Sequence, residues 1–261
     1  MFNLINQVKT TNPLVLHYTN EVTINDCANI TLAIGASPLM SYSYEEVDQI
    51  VSIASSVVIN IGTMNSSNID LFVNAGKAAN KYNKPIILDP VGIFATESRS
   101  DLTSRLLNEI KFDVIKGNVS EIKYIDGLDV NGQGVDSFDD GENVDEIIKT
   151  IAKKLDTVIV ATGKVDTISD GIKVARVSNG SKKLKSVTGT GCMSASLIGS
   201  FLGACENTFE AATMGILSMS LAGEIADKTN PSIGSYRVLL MDTVYELTED
   251  TYKEHAKLEV I

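Results

Sequence analysis

Short runs of apolar residues alternate along the chain with segments whose apolar residues recur at helical spacing. Four of the runs are almost continuously apolar and end in Gly or Pro, as buried strands do: 57–62, 85–90, 113–117 and 157–163. The segments between and after them have the pattern of helices that pack on one side: 69–82, 101–110, 119–125 and 144–155. Strands separated by helices predict an α/β fold in which helices cover both faces of a mostly parallel sheet.

The last third of the chain predicts a hairpin followed by helices. Asp170-Gly171 predicts the turn of a β-hairpin within 168–172, and extended chain over 174–184 is expected to follow. Beyond Gly191 the pattern is helical to the end of the chain, over 192–204, 208–227 and 232–245. Residues 127–143 are rich in Gly, Asn and Asp, and they predict an exposed loop within a single domain that spans 1–261.

Composition restricts the class of partner and the compartment. The 261 residues are 44% hydrophobic and 21% charged, which is typical of a globular protein with a sizeable core. A net charge of −11 argues against nucleic acid and anionic membrane as partners, because both attract clustered Lys and Arg. No apolar run reaches the roughly 18–20 residues of a membrane span, and the N-terminus lacks the pattern of a secretory signal. Three cysteines, none in a Cys-x-x-Cys pair, argue against a disulfide framework or a zinc site and favour the reducing cytoplasm.

Each predicted parallel strand ends in polar or glycine-containing sequence. Residues in these stretches include Gly62, Asp89, Lys116, Asn118 and Thr162. One such stretch is ordinary turn chemistry. In an open parallel sheet, however, all of them fall at the carboxyl edge, where ligands bind. Together they predict a polar site at that edge.

The pair Asn118 and Glu121 allows two interpretations. Its spacing is that of a capping box, in which Asn118 caps a helix and Glu121 bonds back to the capping residue. In the functional interpretation Glu121 lies beside Asp89, and the two carboxylates hold Mg²⁺, mostly through water, while Lys116 offers a positive charge to phosphate. The chain has neither a P-loop motif nor the third glycine of a dinucleotide-binding fingerprint.

The stretch 187–196 joins glycines and small hydroxyl residues to a helix that we expect to begin at Cys192. Unpaired amides at a helix start, beside Gly189 and Gly191, would bind a phosphate and the charge that develops on a moving phosphoryl group. The alternative is a turn that needs glycine only for its backbone angles.

Cys192 has a further interpretation as a covalent nucleophile, because a helix start lowers the pKa of a thiol. Such a nucleophile usually needs a base, most often His. The chain has two histidines: His17 in an apolar run, where a hydrogen-bonded, semi-buried role is expected, and His255 in the polar C-terminal tail. The sequence therefore favours a non-covalent role for Cys192.

Several motifs occur together in the order found in one kinase family. They are residues 19–29, the run Gly35-Ala36-Ser37-Pro38-Leu39-Met40, Asp89-Pro90-Val91-Gly92, residues 116–121 and Thr188-Gly189-Thr190-Gly191-Cys192. Through them nearly the whole chain resembles the hydroxyethylthiazole kinases of the ribokinase-like superfamily. The resemblance implies a single-domain, three-layer α/β/α fold with a mostly parallel central sheet.

The resemblance also implies an activity and an assembly. The activity is the ATP-dependent phosphorylation of the hydroxyl of 4-methyl-5-(2-hydroxyethyl)thiazole, a step of thiamin salvage, and the assembly is a homotrimer with active sites at the subunit interfaces. The implied site residues are Met40, Asn25 and Gly62 for the thiazole, Lys116, Thr162 and Asn118 for ATP, and Gly189 where the substrate meets the transferring phosphate.

Two positions depart from the pattern of the wider superfamily. Most ribokinase relatives have Asp where this chain, like thiazole kinases commonly, has Cys192, which leaves the catalytic base open. The position of Lys116 often carries Arg, whose planar fork would contact phosphate differently. Two other functions stay open: a kinase for another small alcohol such as a hydroxymethylpyrimidine, and a non-catalytic nucleotide or thiazole sensor. The presence of Asp89 and Glu121 beside the glycine loop favours an enzyme over a sensor.

Overall fold

A nine-stranded sheet crosses the centre of the part of the chain that the computed structural model describes, residues 1–65, 68–127 and 144–261. Its strands are β1 (Leu14–Tyr18), β2 (Ser37–Met40), β3 (Ser56–Asn60), β4 (Ile86–Asp89), β5 (Val114–Asn118), β6 (Val158–Thr162), β7 (Asp166–Ser169), β8 (Val174–Val177) and β9 (Leu258–Val260). They lie in the order β2-β1-β3-β4-β5-β6-β7-β8-β9. The loop predicted over 127–143 lies outside the described residues, apart from Gly127.

The strands β1 to β6 are parallel, so their carboxyl ends share one edge of the sheet. The register places Asn60 opposite Asp89 and Asn118 opposite Thr162. At the outer edge Met40 lies opposite His17. The polar residues that the sequence places at strand ends are therefore neighbours in space.

The strands β7, β8 and β9 are antiparallel. The predicted hairpin is confirmed, and the backbone amides of Ile172 and Lys173 donate to Asp170 Oδ1 at its turn, at 2.9 and 2.7 Å. The prediction of extended chain over 174–184 is wrong from Lys182 onwards, because Lys182–Ser186 forms a 3-10 helix. The expectation of helix to the end of the chain is also wrong, since β9 pairs with the distant β8.

Helices cover both faces of the sheet. They are α1 (Leu4–Thr11), α2 (Ile24–Ile34), α3 (Val47–Ile53), α4 (Ile69–Lys81), α5 (Glu97–Glu109), α6 (Val119–Ile125), α7 (Val144–Leu155), α8 (Thr190–Leu202), α9 (Thr208–Asp227), α10 (Ile233–Glu246) and α11 (Glu249–His255). On one face α2, α8 and α9 pack against inward residues such as Val58 and Ile87, and on the other α3, α4, α5 and α7 pack against Val57 and Ile86. The three-layer arrangement follows from this alternation of buried strand residues. None of the helices in the described residues is long and apolar enough to cross a membrane.

Two helices begin earlier than their apolar pattern predicts. Helix α5 begins at Glu97 instead of residue 101, because Thr96 caps it and accepts the backbone amide of Arg99. Helix α8 begins at Thr190 instead of Cys192, because Gly189 is its N-cap in the left-handed conformation, with φ of +87°. Cys192 therefore lies inside the first turn of α8 and does not open it.

Candidate active site at the carboxyl edge of the sheet

A buried ion pair lies at the end of the central strands. Lys116 Nζ of β5 is 3.4 Å from Asp89 Oδ1 of β4, and Asn60 Nδ2 donates to Asp89 Oδ2 at 2.7 Å. Burial raises the pKa of Asp89 to about 6, although Lys116 and Asn60 lower it. Burial alone would lower the pKa of Lys116, but the charges of Asp89 and Glu121 outweigh it and the net shift is upward. Lys116 is thus held as a cation in the floor of the site.

Two asparagine side chains connect this pair to Cys192. Asn20 Nδ2 donates to Asn60 Oδ1 at 2.9 Å and to Cys192 Sγ at 3.3 Å. Both asparagines are buried. A continuous series of hydrogen bonds therefore runs from Asp89 through Asn60 and Asn20 to the thiol.

The first turn of α8 supplies unpaired backbone donors beside the thiol. The amides of Thr190, Gly191 and Cys192 have no partner inside the helix, because they belong to its first turn. Gly191 also lets the helix end approach Lys116, since a Cβ at this position would lie 3.2 Å from Lys116 Nζ. Amide donors, the positive end of the helix dipole and an ammonium group thus meet at one point, which suits an anion.

The pKa of the Cys192 thiol is shifted in the direction opposite to that expected from the sequence. Burial raises its pKa and the charge of Asp89 raises it further, whereas Lys116, Thr23 and Asn20 lower it, and the net shift is upward. The expected lowering of the pKa by the helix start is therefore wrong for this chain. At rest Cys192 is a neutral thiol that accepts a hydrogen bond.

Glu121 forms the predicted capping box. Its Oε2 accepts the backbone amide of Asn118 at 2.8 Å, and its own amide donates to Asn118 Oδ1 at 2.9 Å. The other oxygen, Oε1, accepts the amide of Gly92 at 2.8 Å, so Glu121 also joins α6 to the loop after β4. The capping interpretation is confirmed.

The carboxylates of Asp89 and Glu121 are near enough that the charge of Glu121 raises the pKa of Asp89. In the described residues no group of three His, Cys, Asp or Glu side chains forms a metal cluster. Mg²⁺ does not need one, since it commonly binds one or two carboxylates together with substrate phosphates and water. Two mutually repelling carboxylates at this edge are a donor set that fits Mg²⁺, whose charge would relieve their repulsion.

The residues expected at the nucleotide lie on the two strands beyond the ion pair. Asn118 ends β5 opposite Thr162, the last residue of β6, and Thr162 Oγ1 donates to the carbonyl of Gly117 at 3.3 Å. Both are half-buried, and Lys116 lies two residues before Asn118 on the same strand. The structure brings these three residues together.

The residues expected at the thiazole are spread more widely. Met40 is half-buried at the end of β2, and the backbone of Gly62 lies in the loop after β3, where its amide donates to Asn60 Oδ1 at 2.9 Å. Gly189 contacts the same region, because a Cβ there would lie 2.7 Å from Thr23 Cγ2. Asn25 instead lies on the exposed side of α2, where its Oδ1 accepts the side-chain amide of Asn29 at 3.0 Å.

Neither histidine supplies a base to Cys192. His17 is buried, with Nδ1 3.0 Å from the carbonyl of Val15 and Nε2 3.0 Å from Ser196 Oγ, and burial lowers its pKa to about 4. The hydrogen-bonded role predicted for His17 is confirmed, although the side chain is fully and not partly buried. His255 lies in α11, 3.7 Å from a carboxylate oxygen of Glu254. The imidazole that covalent cysteine catalysis usually requires does not contact the thiol.

Comparison with known proteins shows which family this chain belongs to. Residues 5–250 match the hydroxyethylthiazole kinase family. A relative named hydroxyethylthiazole kinase from Clostridioides difficile (strain 630) is 61% identical over 100% of both chains. Another of that name from Alkaliphilus oremlandii (strain OhILAs) is 48% identical over 99% of this chain and 97% of its own. This chain belongs to the hydroxyethylthiazole kinase family.

Solved structures agree with the family and with the fold. The structure of a hydroxyethylthiazole kinase protein from Pyrococcus horikoshii OT3 is 33% identical, with a TM-score of 0.88 over 100% of this chain and 98% of that one. A ribokinase-like superfamily protein from Enterococcus faecalis V583 shares the fold alone, with 14% identity and a TM-score of 0.68 over 95% of each chain. The family, the kinase class and the ribokinase-like α/β fold expected from the sequence are confirmed, whereas the roles of individual site residues stay predictions.

Three residues of the candidate site have no role in the sequence analysis. Asn20 and Asn60 connect Cys192 to Asp89, and Arg99 donates to the carbonyls of Ile61, Val91 and Gly62 at 2.7, 2.9 and 2.8 Å. Asn60 had a visible signal, a single polar residue within an otherwise apolar strand. Arg99 had none, because its position just before the helix predicted over 101–110 does not reveal that it joins the ends of β3 and β4.

Proposed function

We propose that this chain transfers the γ-phosphoryl group of ATP to the hydroxyl of 4-methyl-5-(2-hydroxyethyl)thiazole, in thiamin salvage. The observation that carries the proposal is the meeting of the α8 amides, the Lys116 ammonium and the Cys192 thiol at one edge of the sheet. An anion site next to a proton-accepting side chain is what phosphoryl transfer to an alcohol requires. Membership of the hydroxyethylthiazole kinase family supports the choice of alcohol.

In the proposed reaction the substrate oxygen attacks the γ-phosphorus as the bond to the β–γ bridging oxygen breaks, and ADP leaves with that electron pair. The amides of Gly191 and Cys192 stabilise the charge on the transferring group, and the hydroxyl proton passes to the sulfur of Cys192. A thiol with a raised pKa is protonated at rest, so the sulfur acts in the small fraction of molecules that hold it as a thiolate. A loose transition state needs little deprotonation, so a weak base suffices.

The nucleotide is proposed to bind along the ends of β5 and β6. Lys116 would contact its phosphates, and Asn118 and Thr162 would contact the rest of the nucleotide from the adjacent strand ends. Asp89 and Glu121 would hold Mg²⁺. When bound, Mg²⁺ neutralises phosphate charge. Lys116 then faces both the acidic pair and the α8 amides, which suits a residue that orients the γ-phosphate.

The thiazole is proposed to bind between Met40, Gly62 and Gly189. Asn25 lies on the outer side of α2, so it reaches a thiazole only if another subunit completes the pocket. Exposed apolar residues on α2 and on the neighbouring α10, Leu32 and Val238, support such an interface. We therefore propose a homotrimer with active sites at its interfaces. The three free cysteines support the cytoplasm as its location.

A coupled assay of ADP release tests the substrate. We expect the thiazole alcohol to stimulate ATP turnover far above background, and removal of Mg²⁺ with a chelator to abolish the stimulation. A hydroxymethylpyrimidine is the matched competitor, because it is also a small heterocyclic alcohol. Stimulation by the pyrimidine alone would contradict the thiazole assignment. Binding of thiazole and ATP without turnover would indicate a sensor.

A further inference from the structure

The orientation of the Asn20 and Asn60 amides is fixed by the backbone. The amide N–H of Thr23 donates to Asn20 Oδ1 at 3.1 Å, and the amide N–H of Gly62 donates to Asn60 Oδ1 at 2.9 Å. A backbone N–H can only donate, so each side chain must turn its oxygen towards it. The NH₂ group of each asparagine is therefore forced to the opposite side.

This orientation decides which groups the two NH₂ groups meet. Asn60 Nδ2 donates to the carboxylate of Asp89, which when ionised can only accept. Asn20 Nδ2 has two hydrogens, and its two partners are Asn60 Oδ1 and Cys192 Sγ. The sulfur of Cys192 is thus left as the acceptor at the end of a series whose direction is set at every step.

We propose that Asn20 is the positioning residue of Cys192: its NH₂ group fixes the sulfur as a hydrogen-bond acceptor that faces the anion site, ready to receive the proton of the substrate hydroxyl. The inference rests on the proposed function and assigns Asn20 a role that acts only through Cys192. A donor to sulfur stabilises the thiolate relative to the thiol, and it also restricts the side chain to one rotamer. Asn60 supports Asn20 by accepting its second hydrogen.

The surroundings of Cys192 show why this donor matters. Burial and Asp89 oppose the thiolate, whereas Lys116, Thr23 and Asn20 favour it. Cys27 of α2 also faces Cys192, but it is a buried thiol whose own pKa burial raises to about 11, so it carries no charge there. Of the favourable groups, Asn20 is the one that contacts the sulfur through a bond whose direction the backbone enforces.

Asn20→Asp is the sharpest test, because it keeps an oxygen for the Thr23 amide and replaces the NH₂ donor by an acceptor of the same shape. We expect alkylation of Cys192 by iodoacetamide at fixed pH, followed by peptide mass spectrometry, to slow by ~10-fold, the loss expected for one hydrogen bond to a charged group. Asn80→Asp is the matched control. Asn80 likewise accepts a backbone amide and donates to a carbonyl, both of Lys111, at the opposite edge of the sheet. It should leave the alkylation rate unchanged.

Kinetics then separate positioning from a general structural role. We expect Asn20→Asp to lower kcat by ~10-fold with little change in the KM for ATP, and to cause no further loss in a Cys192→Ala background. Equal losses in both backgrounds, or an unchanged alkylation rate, would overturn the inference. Asn20→Ser, which keeps an oxygen for Thr23 but lacks the amide donor, provides both readouts if the aspartate variant does not fold. The alkylation rate tests the contact between Asn20 and Cys192 even if wild-type protein shows no thiazole-dependent turnover. Failure of the positioning role and failure of the proposed function can therefore be distinguished.

Discussion

At the scale of single residues, Cys192 is the side chain whose chemistry is most open to test. We expect Cys192→Ala to lower kcat by ~10²-fold, the usual effect of losing a general base. It should not abolish activity, because the α8 amides and the positioning of substrates remain. Cys192→Asp should keep or improve kcat, since a carboxylate oxygen can accept both the Asn20 hydrogen and the substrate proton. Steady-state ADP release at saturating substrates measures both variants.

A covalent mechanism makes the opposite prediction for the same pair of variants. Both would be inactive, and intact mass spectrometry of wild-type enzyme during turnover would detect a phosphoryl group on Cys192. Finding that adduct, or finding Cys192→Asp inactive while it still folds and binds ATP, would exclude the base role.

Glu121 has two separable roles at this scale. Its two oxygens accept two different backbone amides, those of Asn118 and Gly92, and glutamine offers only one oxygen. We therefore expect Glu121→Gln to lower the free energy of unfolding by about 1–2 kcal/mol and to raise the Mg²⁺ concentration needed for half-maximal activity. Thermal melting and a Mg²⁺ titration measure the two effects.

The control for this variant is Glu97→Gln, which removes a carboxylate from the exposed first turn of α5 and should change neither quantity. If Glu121→Gln melts earlier yet keeps the wild-type dependence on Mg²⁺, Glu121 is a cap and not a metal ligand.

At the scale of elements, the sequence predicts the starts of α6 and α9 correctly, and a local side chain sets each of them. Helix α6 begins as expected because Asn118 and Glu121 form its cap, and α9 begins as expected because Asn207 accepts the amide of Glu210 at 3.1 Å. The start of α8 is predicted two residues too late because a left-handed glycine, Gly189, precedes the helix. The spacing of apolar residues does not indicate backbone angles.

The sequence predicts those residues of the candidate site whose closeness to one another follows from the fold class alone. Asp89, Lys116, Asn118 and Thr162 lie at the carboxyl ends of adjacent parallel strands, so the edge of the sheet brings them together. The contact between Asn20 and Cys192 depends on how α8 docks over the end of β1, which is a matter of packing between segments far apart in the chain. Pairing of β8 with β9 escaped prediction for the same reason.

The start of α8 gives a prediction at this scale. Gly189 has a φ of +87°, and a Cβ there would lie 2.7 Å from Thr23 Cγ2, so Gly189→Ala is strained by its backbone and crowded by its neighbour. We expect a loss of about 1–3 kcal/mol in the free energy of unfolding and a clear loss of kcat, because the α8 amides shift. Gly234→Ala is the control, since its Cβ meets nothing within 4 Å in helix α10. If Gly189→Ala is as stable and active as this control, the left-handed start is not essential.

The contact between β7 and α9 gives a pH-dependent prediction. Asp166 accepts hydrogen bonds from Ser220 Oγ at 2.6 Å and from the backbone amide of Gly163 at 3.0 Å. Burial raises the pKa of Asp166 to about 6, although these two hydrogen bonds lower it. The ordinary aspartate pKa is about 4, so protonation favours the folded state and its stabilising effect is lost as pH rises from about 4 through about 6. Relative to the Asp166→Asn variant, the free energy of unfolding of wild type should fall by up to about 3 kcal/mol between about pH 4 and about pH 6.

Urea unfolding of both proteins at several pH values measures this difference. The comparison with Asp166→Asn is necessary because His17 acts in the opposite direction. Its pKa is lowered to about 4 by burial, so its contribution to stability falls as pH decreases below about 6.5. A difference between the two proteins that does not change with pH would show that Asp166 is ionised at an ordinary pKa.

At the scale of the whole molecule, the proposed trimer depends on the outer face of α2. Asn25, Asn29 and Leu32 share this face, and Leu32 is 56% exposed in the isolated chain. We expect Leu32→Glu to convert the trimer to smaller species in size-exclusion chromatography with light scattering, because a carboxylate would be buried at the interface. The KM for the thiazole should rise, since Asn25 would no longer complete a pocket.

Ile172→Glu is the matched control, because Ile172 is 77% exposed in the turn between β7 and β8, beside α7 on the face of the sheet opposite α2. It should leave both assembly and KM unchanged. A trimer that survives Leu32→Glu, or a wild-type protein that is monomeric, would contradict the interface.

The order in which the two helical layers are built has a consequence for synthesis. Helices α3, α4, α5 and α7 are synthesised before α8 and α9. Val58, Ile87 and Val114 lie on the opposite face of the sheet, which α8 and α9 help to cover. A ribosome adding about 5–20 residues per second needs on the order of ten seconds to pass from β5 to the end of α8. Throughout that interval α2 is the one of the three helices α2, α8 and α9 already made, and the apolar residues of β3 and β4 that α8 later covers stay exposed. We therefore expect crosslinking to detect a ribosome-bound chaperone on the nascent chain until α8 has emerged. The helix whose first turn carries Cys192 is thus also the one that covers the apolar residues of β3 and β4 on this face.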